Sequence, residues 1–427
     1  MPEHQDEPDA PADPTPAVPL LCPGDGMPPL AATTDEIARA AESLASGTGP
    51  FAVDAERASG FRYSNRAYLI QIRRAGAGTV LIDPVNHGGS PIDTLRPVAE
   101  VLAEDEWILH AADQDLPCLA EVGLRPPRLY DTELAGRLAG FERVNLAAMV
   151  ERLLGLGLAK GHGAADWSKR PLPAEWLNYA ALDVEVLIEL RAAMAEVLDN
   201  QNKASWAQEE FEYLRCAEST PTRRDRWRRT AGIHKVRTAS GLAAVRELWT
   251  TRDRIARSRD IAPGRILPDS AIIAAATADP KTIDDLIALP IFGGQKQRRT
   301  AQVWLDALAT ARTTDQPPET SEPLTGPPPP VRWAKRKPEA AVRLEAARAA
   351  LSELSRQVSV PTENLVSPDL VRRLCWDWQV GAEPDPDPET DTGTTAAADA
   401  FLRDAGARAW QRALVVPVLA PALNPGV

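Results

Sequence analysis

The 427-residue chain is predicted to hold one α/β domain, a mixed sheet flanked by helices, followed by two all-α helical bundles. Three observations carry this. Short β-prone apolar runs alternate with helical segments in the N-terminal part of the chain, the pattern of a sheet covered by helices. From about Arg223 onward only helical periodicity remains. A Pro-rich stretch, "TTDQPPETSEPLTGPPPP", then divides the helical part in two, reading as a linker too rich in proline to pack.

Residues 1–29 open with "MPEHQDEPDAPADPTP", acidic and Pro-rich, and are expected to form a disordered tail. Leu30 to Ser46 reads as an opening helix. "FAVDAE" is the first strand, and "AYLIQIRR" and "TVLIDPV" form a hairpin around "AGAG". "PIDTLRPVAEVLAED" follows as a helix, "EWILHAA" as a strand, "DLPCLAEVGL" as a helix and "RLYDT" as a short extended piece. Helices then run through "ELAGRLAG", "NLAAMVERLLGL" and "PAEWLNYAALDVEVLIELRAAMAEVL", closing a first domain over 30–215. Residues 216–236 make a basic connector. Residues 237–313 form a bundle of about five short helices, 314–332 the linker, and 333–427 the second bundle. Its "PTENLVSPDLVRRL" echoes "APGRILPDSAIIAAA" in the first, a weak internal duplication.

A hydrophobic content of 44% is that of a globular protein, and no apolar run reaches membrane-spanning length. No basic stretch followed by an apolar core opens the chain, so no secretory signal is expected. Cys22, Cys118, Cys216 and Cys375 lie too far apart for a metal or disulfide pattern, which fits a reducing cytoplasm. The net charge of −12 argues on its face against nucleic acid. It conceals a reversal from Arg215 to Arg259, where "PTRRDRWRRTAGIHKVR" and "TTRDRIARSR" offer a basic surface suited to phosphates. A solvated helix face would read the same way.

The chemistry is written into "FAVDAE". Asp54 and Glu56 stand two apart on a strand and so share one face. Adjacent carboxylates on a core strand are costly unless a divalent cation neutralises them. Mg²⁺ takes oxygen ligands from carboxylates and substrate phosphates, and two such ions can stabilise both oxygens of a phosphodiester displacement. Two ions need further acids. Asp115 in "LHAADQDLPCL" follows a strand at the start of a helix, where an N-cap is the ordinary reading. "NYAALDVEVL" puts Tyr179 and Asp183 four apart on one helix face.

These segments resemble a known family. "FAVDAE…YLIQI", "LHAADQDLPCL" and "GHGAADWSKRPLPAEWLNYAALDVEVL" look like the three exonuclease motifs of ribonuclease D, in the tyrosine-bearing branch of the DEDD 3′–5′ exonuclease superfamily. The resemblance covers about residues 30–200 and implies a ribonuclease H-like fold. It extends to 237–313, which looks like a helicase-and-RNase-D C-terminal (HRDC) domain, with 333–427 resembling a divergent second copy. It implies that Asp54, Glu56, Asp115 and Asp183 bind two Mg²⁺ or Mn²⁺ ions and that Tyr179 positions the attacking water. Two departures fall outside the ligands: Ala165 stands where serine is expected, and Trp176 where glutamine is common.

Other residues carry weaker signals. His110 precedes Asp115 at the spacing of the superfamily's histidine branch, but a Tyr-x-x-x-Asp follows, so His110 reads as structural. Lys160 is either a phosphate contact or a solvated loop lysine, and His162 is a weaker phosphate candidate. Gln71 is either a sheet-edge hydrogen-bond donor or a nucleotide contact. Trp249 and Trp304 lie on apolar helix faces and belong to a core. Trp227 and Trp333, flanked by positive charge, are candidates to stack on bases or to pack on a neighbouring domain.

The expected function is a metal-dependent 3′–5′ exoribonuclease that trims structured RNA such as tRNA precursors and releases nucleoside 5′-monophosphates. The helical bundles would grip the RNA body through salt-sensitive phosphate contacts. The rivals are a DNA exonuclease of the proofreading or Werner type and a non-catalytic nucleic-acid scaffold.

Overall fold

The computed structural model describes residues 16–85, 89–159, 161–217, 225–320, 326–379 and 392–424. Its first element contradicts the expected tail: Val18–Leu20 is a strand (β1). Leu30–Ala31 (β2) is also extended, and the opening helix, Thr34–Ala45 (α1), starts later than its apolar pattern suggests. Thr33 and Glu36 set that start through a capping box, in which each side chain accepts from the other's amide.

Three long strands follow: Thr48–Arg57 (β3), Ala67–Ala75 (β4) and Gly78–Ile82 (β5). After helix Pro91–Leu102 (α2) come Trp107–Leu109 (β6), helix Leu116–Glu121 (α3) and Leu129–Asp131 (β7). The main sheet has the order β2-β5-β4-β3-β6-β7. β3, β4 and β5 are antiparallel, while β2, β6 and β7 add in parallel. β3 is therefore interior, and both its faces are covered, which explains its almost continuous apolar run.

Helices Thr132–Leu138 (α4) and Leu146–Leu154 (α5) lead to a short strand, Leu156–Leu158 (β8). β8 pairs in parallel with β1. The N-terminal segment continues across the next helix, Ala174–Glu185 (α6): Asn178 Nδ2 donates to the Leu21 carbonyl (2.9 Å) and the Gly24 amide to Glu185 (3.0 Å). Arg73 ties Asp25 and Glu185 together, 3.0 Å from each. The later residues of the expected tail thus form a strap over the helix that carries Tyr179 and Asp183.

Sequence periodicity predicts one long helix from Pro173. The structure breaks it at Val186 into α6 and Leu187–Asn200 (α7). No Gly or Pro marks the break; tertiary packing imposes it. Ala180 and Ala181 are buried in a small core beneath the site, with Leu69, Leu81 and Trp167. Leu187, Leu190, Met194 and Leu198 enter the large core on the other side.

Helix Ala204–Cys216 (α8) ends this domain. The HRDC-like unit begins with Ala239–Arg259 (α9), Pro263–Ile266 (α10) and Asp269–Ala278 (α11). Ile283–Ile287 (α12), Gln295–Arg298 (α13) and Ala301–Arg312 (α14) complete it. It has its own apolar core, which includes Trp227 and Val236 from the expected connector. Further on, Trp333–Arg336 (α15), Pro338–Val358 (α16), Thr362–Leu365 (α17) and Pro368–Asp377 (α18) repeat the motif of a long, a one-turn and a medium helix. Helices α9 and α16 both have 21 residues, and both end on a left-handed residue, Asp260 and Ser359. Thr392–Asp404 (α19) and Ala409–Leu423 (α20) close the chain.

The two helical units attach to the α/β domain differently. The C-terminal one shares its continuous apolar core, with Trp206 of α8 stacked on Trp410 of α20 at 5.1 Å. The linker is not free of packing either. Arg228 donates to the Glu319 carbonyl and Arg246 to that of Gln316, and Trp333 Nε1 donates to the Pro328 carbonyl. Among the described residues no helix is long and apolar enough to cross a membrane.

Candidate active site

Strand β3 puts Asp54 and Glu56 on the face that α6 covers, and α6 puts Tyr179 and Asp183 on the side facing β3. Oxygens of Asp54, Glu56 and Asp183 all lie within 4.8 Å of one another. Asp115 joins from the turn after β6. It occupies the N-cap position of α3, but its side chain caps nothing. It lies beside Asp54, close enough for the two carboxyls to share a hydrogen bond, and 3.2 Å from the Arg57 guanidinium. That contact lacks the alignment of a hydrogen bond, so the buried Asp115 Oδ1 keeps no hydrogen-bond partner. The N-cap reading of Asp115 is thereby set aside.

The turn that presents Asp115 is built by a residue the sequence did not single out. The buried Asp131 carboxylate accepts from the amides of Ala111, Ala112, Glu133 and Leu134. It caps α4 and at the same time holds the left-handed Ala111 (φ 59°) that redirects the chain after β6. Nearby, His110 Nδ1 lies 2.9 Å from Thr132 Oγ1. Burial lowers its pKa to about 4, so the imidazole is neutral. A neutral, partnered histidine matches the structural reading.

Electrostatics in the cluster are those of a site short of positive charge. Burial first, then the neighbouring carboxylates, push Glu56 up to about 10. Asp54, Asp115 and Asp183 are also raised, chiefly by burial. Tyr179 is raised by burial and by the charge of Asp183, so it stays a phenol and donates to Asp183. An all-oxygen donor set with a surplus of buried negative charge fits hard divalent cations.

Gln71 resolves differently from either sequence expectation. It pairs directly opposite Asp54 in the interior of the sheet, is fully buried, and its Nε2 donates to Asp54 Oδ2 at 3.3 Å. It orients a carboxylate from a position without solvent exposure. Direct cross-strand partners share a face, so the hairpin register is the signal that assigns it.

Trp227 is corrected too. It is 5% exposed within the HRDC core, its Nε1 donates to Asp225, and the Arg228 guanidinium covers its ring at 4.4 Å. Trp333 is fully buried beside Trp376. Of the two expectations for these tryptophans, base stacking and packing on a neighbouring domain, the structure bears out the packing, and apolar area decides it. Trp304 is core, as expected, and Trp249 packs half-buried against it. Lys160 lies outside the described residues.

Gly161 and His162 close on Tyr179. A Cβ added to Gly161 would lie 2.0 Å from the Tyr179 ring, so this glycine is required by close approach. His162 sits edge-on to Tyr179 and near Trp176, 5.9 Å from each. Trp176 also packs on Trp167, and Ala165 packs against the small core. Both departures from the family pattern are packing residues.

Three family models match the chain. One described as 3′–5′ exonuclease covers residues 30–199, one described as HRDC domain covers 241–308, and one described as 3′ to 5′ exonuclease C-terminal domain covers 326–423. Ribonuclease D of Jannaschia sp. is 32% identical over 271 residues, 61% of this chain and 68% of that protein. Ribonuclease D of Shewanella sp. is 31% identical, covering 65% and 70%. A crystal structure of a protein from Bifidobacterium adolescentis is 35% identical with a TM-score of 0.82, covering 95% of this chain and 99% of that one. Escherichia coli RNase D, described as an exoribonuclease involved in structured RNA processing, shares the fold at 23% identity. Its TM-score is 0.63 over 88% of this chain and 99% of that one. With its four clustered acids, its tyrosine and these relatives, the chain belongs to the ribonuclease D family of 3′–5′ exoribonucleases.

Proposed function

We propose that the chain trims the 3′ ends of structured RNA, tRNA precursors among them, by hydrolysis that releases nucleoside 5′-monophosphates in the cytoplasm. The observation that carries this is the convergence of Asp54, Glu56 and Asp183 within 4.8 Å, with Asp115 beside Asp54 and the Tyr179 hydroxyl on Asp183. These four carboxylates would hold two Mg²⁺ or Mn²⁺ ions. When bound, such ions lower the pKa of an attacking water and stabilise the departing 3′ oxygen.

The chain's own groups do the positioning. Gln71 fixes the rotamer of Asp54 through its 3.3 Å hydrogen bond. Tyr179 remains protonated, gives its hydrogen to Asp183, and keeps oxygen lone pairs to accept from a water. The Gly161 backbone holds the phenol ring in that pose.

The HRDC-like unit, and the C-terminal unit as its divergent copy, supply phosphate contacts to the RNA body. The matching lengths of α9 and α16 support the duplication. Part of the basic run is engaged internally, Arg252 with Asp269 and Arg257 with Asp253, so the remaining cations make the grip.

The test is a comparison of full-length protein on a tRNA precursor, an unstructured oligoribonucleotide and its DNA counterpart, with Mg²⁺ and with chelator. Stepwise 3′ shortening of the RNAs that stops on chelation is expected. Equal degradation of the DNA, or cleavage that persists without cation, would overturn the reading.

A further inference from the structure

We propose that Arg57 is the resident counterion of Asp115, that it gives way when a cation binds there, and that its guanidinium then pairs with a phosphate of the RNA chain. The inference rests on the two-cation reading above and adds a residue to it.

On a regular strand Arg57 would point away from Glu56, into the apolar side of β3. The register breaks between these two residues: Glu56 lies opposite Leu69 but Arg57 opposite Ala67, leaving one extra residue on β4. The extra residue, Tyr68, bends β4 and breaks the regular ladder where β3 ends. Arg57 emerges toward the site, its Nη2 3.2 Å from Asp115 Oδ1, with side-chain exposures of 23% and 7%. It therefore spans from the buried cluster to solvent.

The contact is an ion pair left incomplete. Asp115 Oδ1 keeps no aligned hydrogen bond, so an acceptor direction stays open for another cation. The Arg57 charge also opposes the burial that raises Asp54, Glu56 and Asp115. Arginine cannot discharge by losing a proton. A divalent ion on Asp115 would face a guanidinium of like charge, and the long side chain can swing outward. Its planar donor fork then matches phosphate oxygens.

The experiment uses full-length wild type, Arg57→Gln and Arg57→Lys, with circular dichroism as the fold control. Calorimetric Mn²⁺ titration without RNA is paired with steady-state kinetics on an oligoribonucleotide at saturating Mn²⁺. Removing a competing charge should tighten Mn²⁺ binding by Arg57→Gln about three- to thirtyfold, while loss of a charge-assisted phosphate contact raises KM about tenfold or more, with kcat within about threefold. Arg57→Lys, which keeps the charge without the fork, should bind Mn²⁺ nearly as wild type does and still show a raised KM. Mn²⁺ affinity in Arg57→Gln that is unchanged or weaker overturns the proposal. So does a wild-type KM in that variant. If wild type itself took up no Mn²⁺, the cation reading would fall, and the role of Arg57 with it.

Discussion

Glu210 on α8 and Arg408, just before α20, form a two-pronged ion pair, with Arg408 Nε 2.6 Å and Nη2 2.8 Å from the two carboxylate oxygens. Trp410 Nε1 donates to the same Glu210 at 2.8 Å. Glu209 beside it accepts from the Ala409 and Trp410 amides, satisfying the first turn of α20. This joint welds the C-terminal unit to the exonuclease domain. Glu210→Ala leaves a half-buried guanidinium and an indole N–H without their acceptor. A loss of about 3–5 kcal/mol is expected, read as a lower Tm by calorimetry. For the same reason a chain ending near Cys216 bares Trp206 and Glu210. It is expected to aggregate, where full-length protein stays monodisperse on gel filtration.

Removing a carboxylate should abolish activity and strengthen the metal-free fold. Asp54→Asn and Asp183→Asn each delete a buried charge from a cluster that repels itself. Cleavage should fall below detection while the Tm in chelator rises by a few degrees, about 1 kcal/mol or more. Wild-type turnover by either variant in Mg²⁺ would dismiss the site assignment.

Tyr179→Phe keeps the ring against Gly161 and loses the hydroxyl on Asp183. Cleavage should slow by roughly one to three orders of magnitude, with the RNA dissociation constant nearly unchanged. An equal loss of binding would make Tyr179 a substrate grip.

Gly161→Ala tests the loop without touching any acid. The new methyl would fall 2.0 Å from Tyr179 Cδ2, so ring or loop must move. A misplaced phenol should cost on the order of a hundredfold in kcat, and Tyr179→Phe should add little on top. Independent, additive losses in the double variant would show that Gly161 acts elsewhere.

His110 predicts an acid limb. Its pKa in the fold, about 4, lies below the ordinary 6.5 because burial disfavours the imidazolium. Between those values the unfolded chain binds the proton and the native one does not, so stability falls as pH drops from about 6.5 to 4, by up to about 3 kcal/mol. His110→Asn should flatten that limb in denaturant titrations across pH, and an unaltered slope would show that His110 titrates normally.

Much of this was legible in the sequence because the signals are local. The Asp54–Glu56 alternation and the Tyr179–Asp183 helical spacing each place two groups on one face whatever the remainder of the fold does. The register of β3 on β4 is not local in that sense, and it alone reveals Gln71 beside Asp54 and the turn-out of Arg57. Asp131 looked like any residue ending a short strand, since two of the four amides it gathers, those of Ala111 and Ala112, come from a turn about twenty residues upstream. The strap at Val18–Leu20 was hidden by composition: proline and acid imply disorder, but its partners, β8 and Glu185, arrive much later in the chain. For Trp227 the sequence left stacking and packing open, because flanking charge describes neighbours; the indole followed its apolar area into the HRDC core.

Because the C-terminal unit shares the exonuclease core, the HRDC domain is an insertion between two segments of one continuous apolar core. It also rests on the α/β domain through a clasp. Asp260 accepts from the Ser64 amide (2.9 Å) and Tyr68 hydroxyl (3.4 Å), Tyr63 donates to Asp253 (3.1 Å), and Arg265 reaches the Gly60 carbonyl. Gly60, Tyr63 and Ser64 lie on the stretch that joins β3, the strand of Asp54 and Glu56, to β4, and Tyr68 lies at the start of β4. A domain on a double tether cannot diffuse away when its clasp opens, and its effective local concentration returns it to the same seat. Because the clasp is made on that stretch, a displacement of the domain would bear on the loop beside the carboxylates.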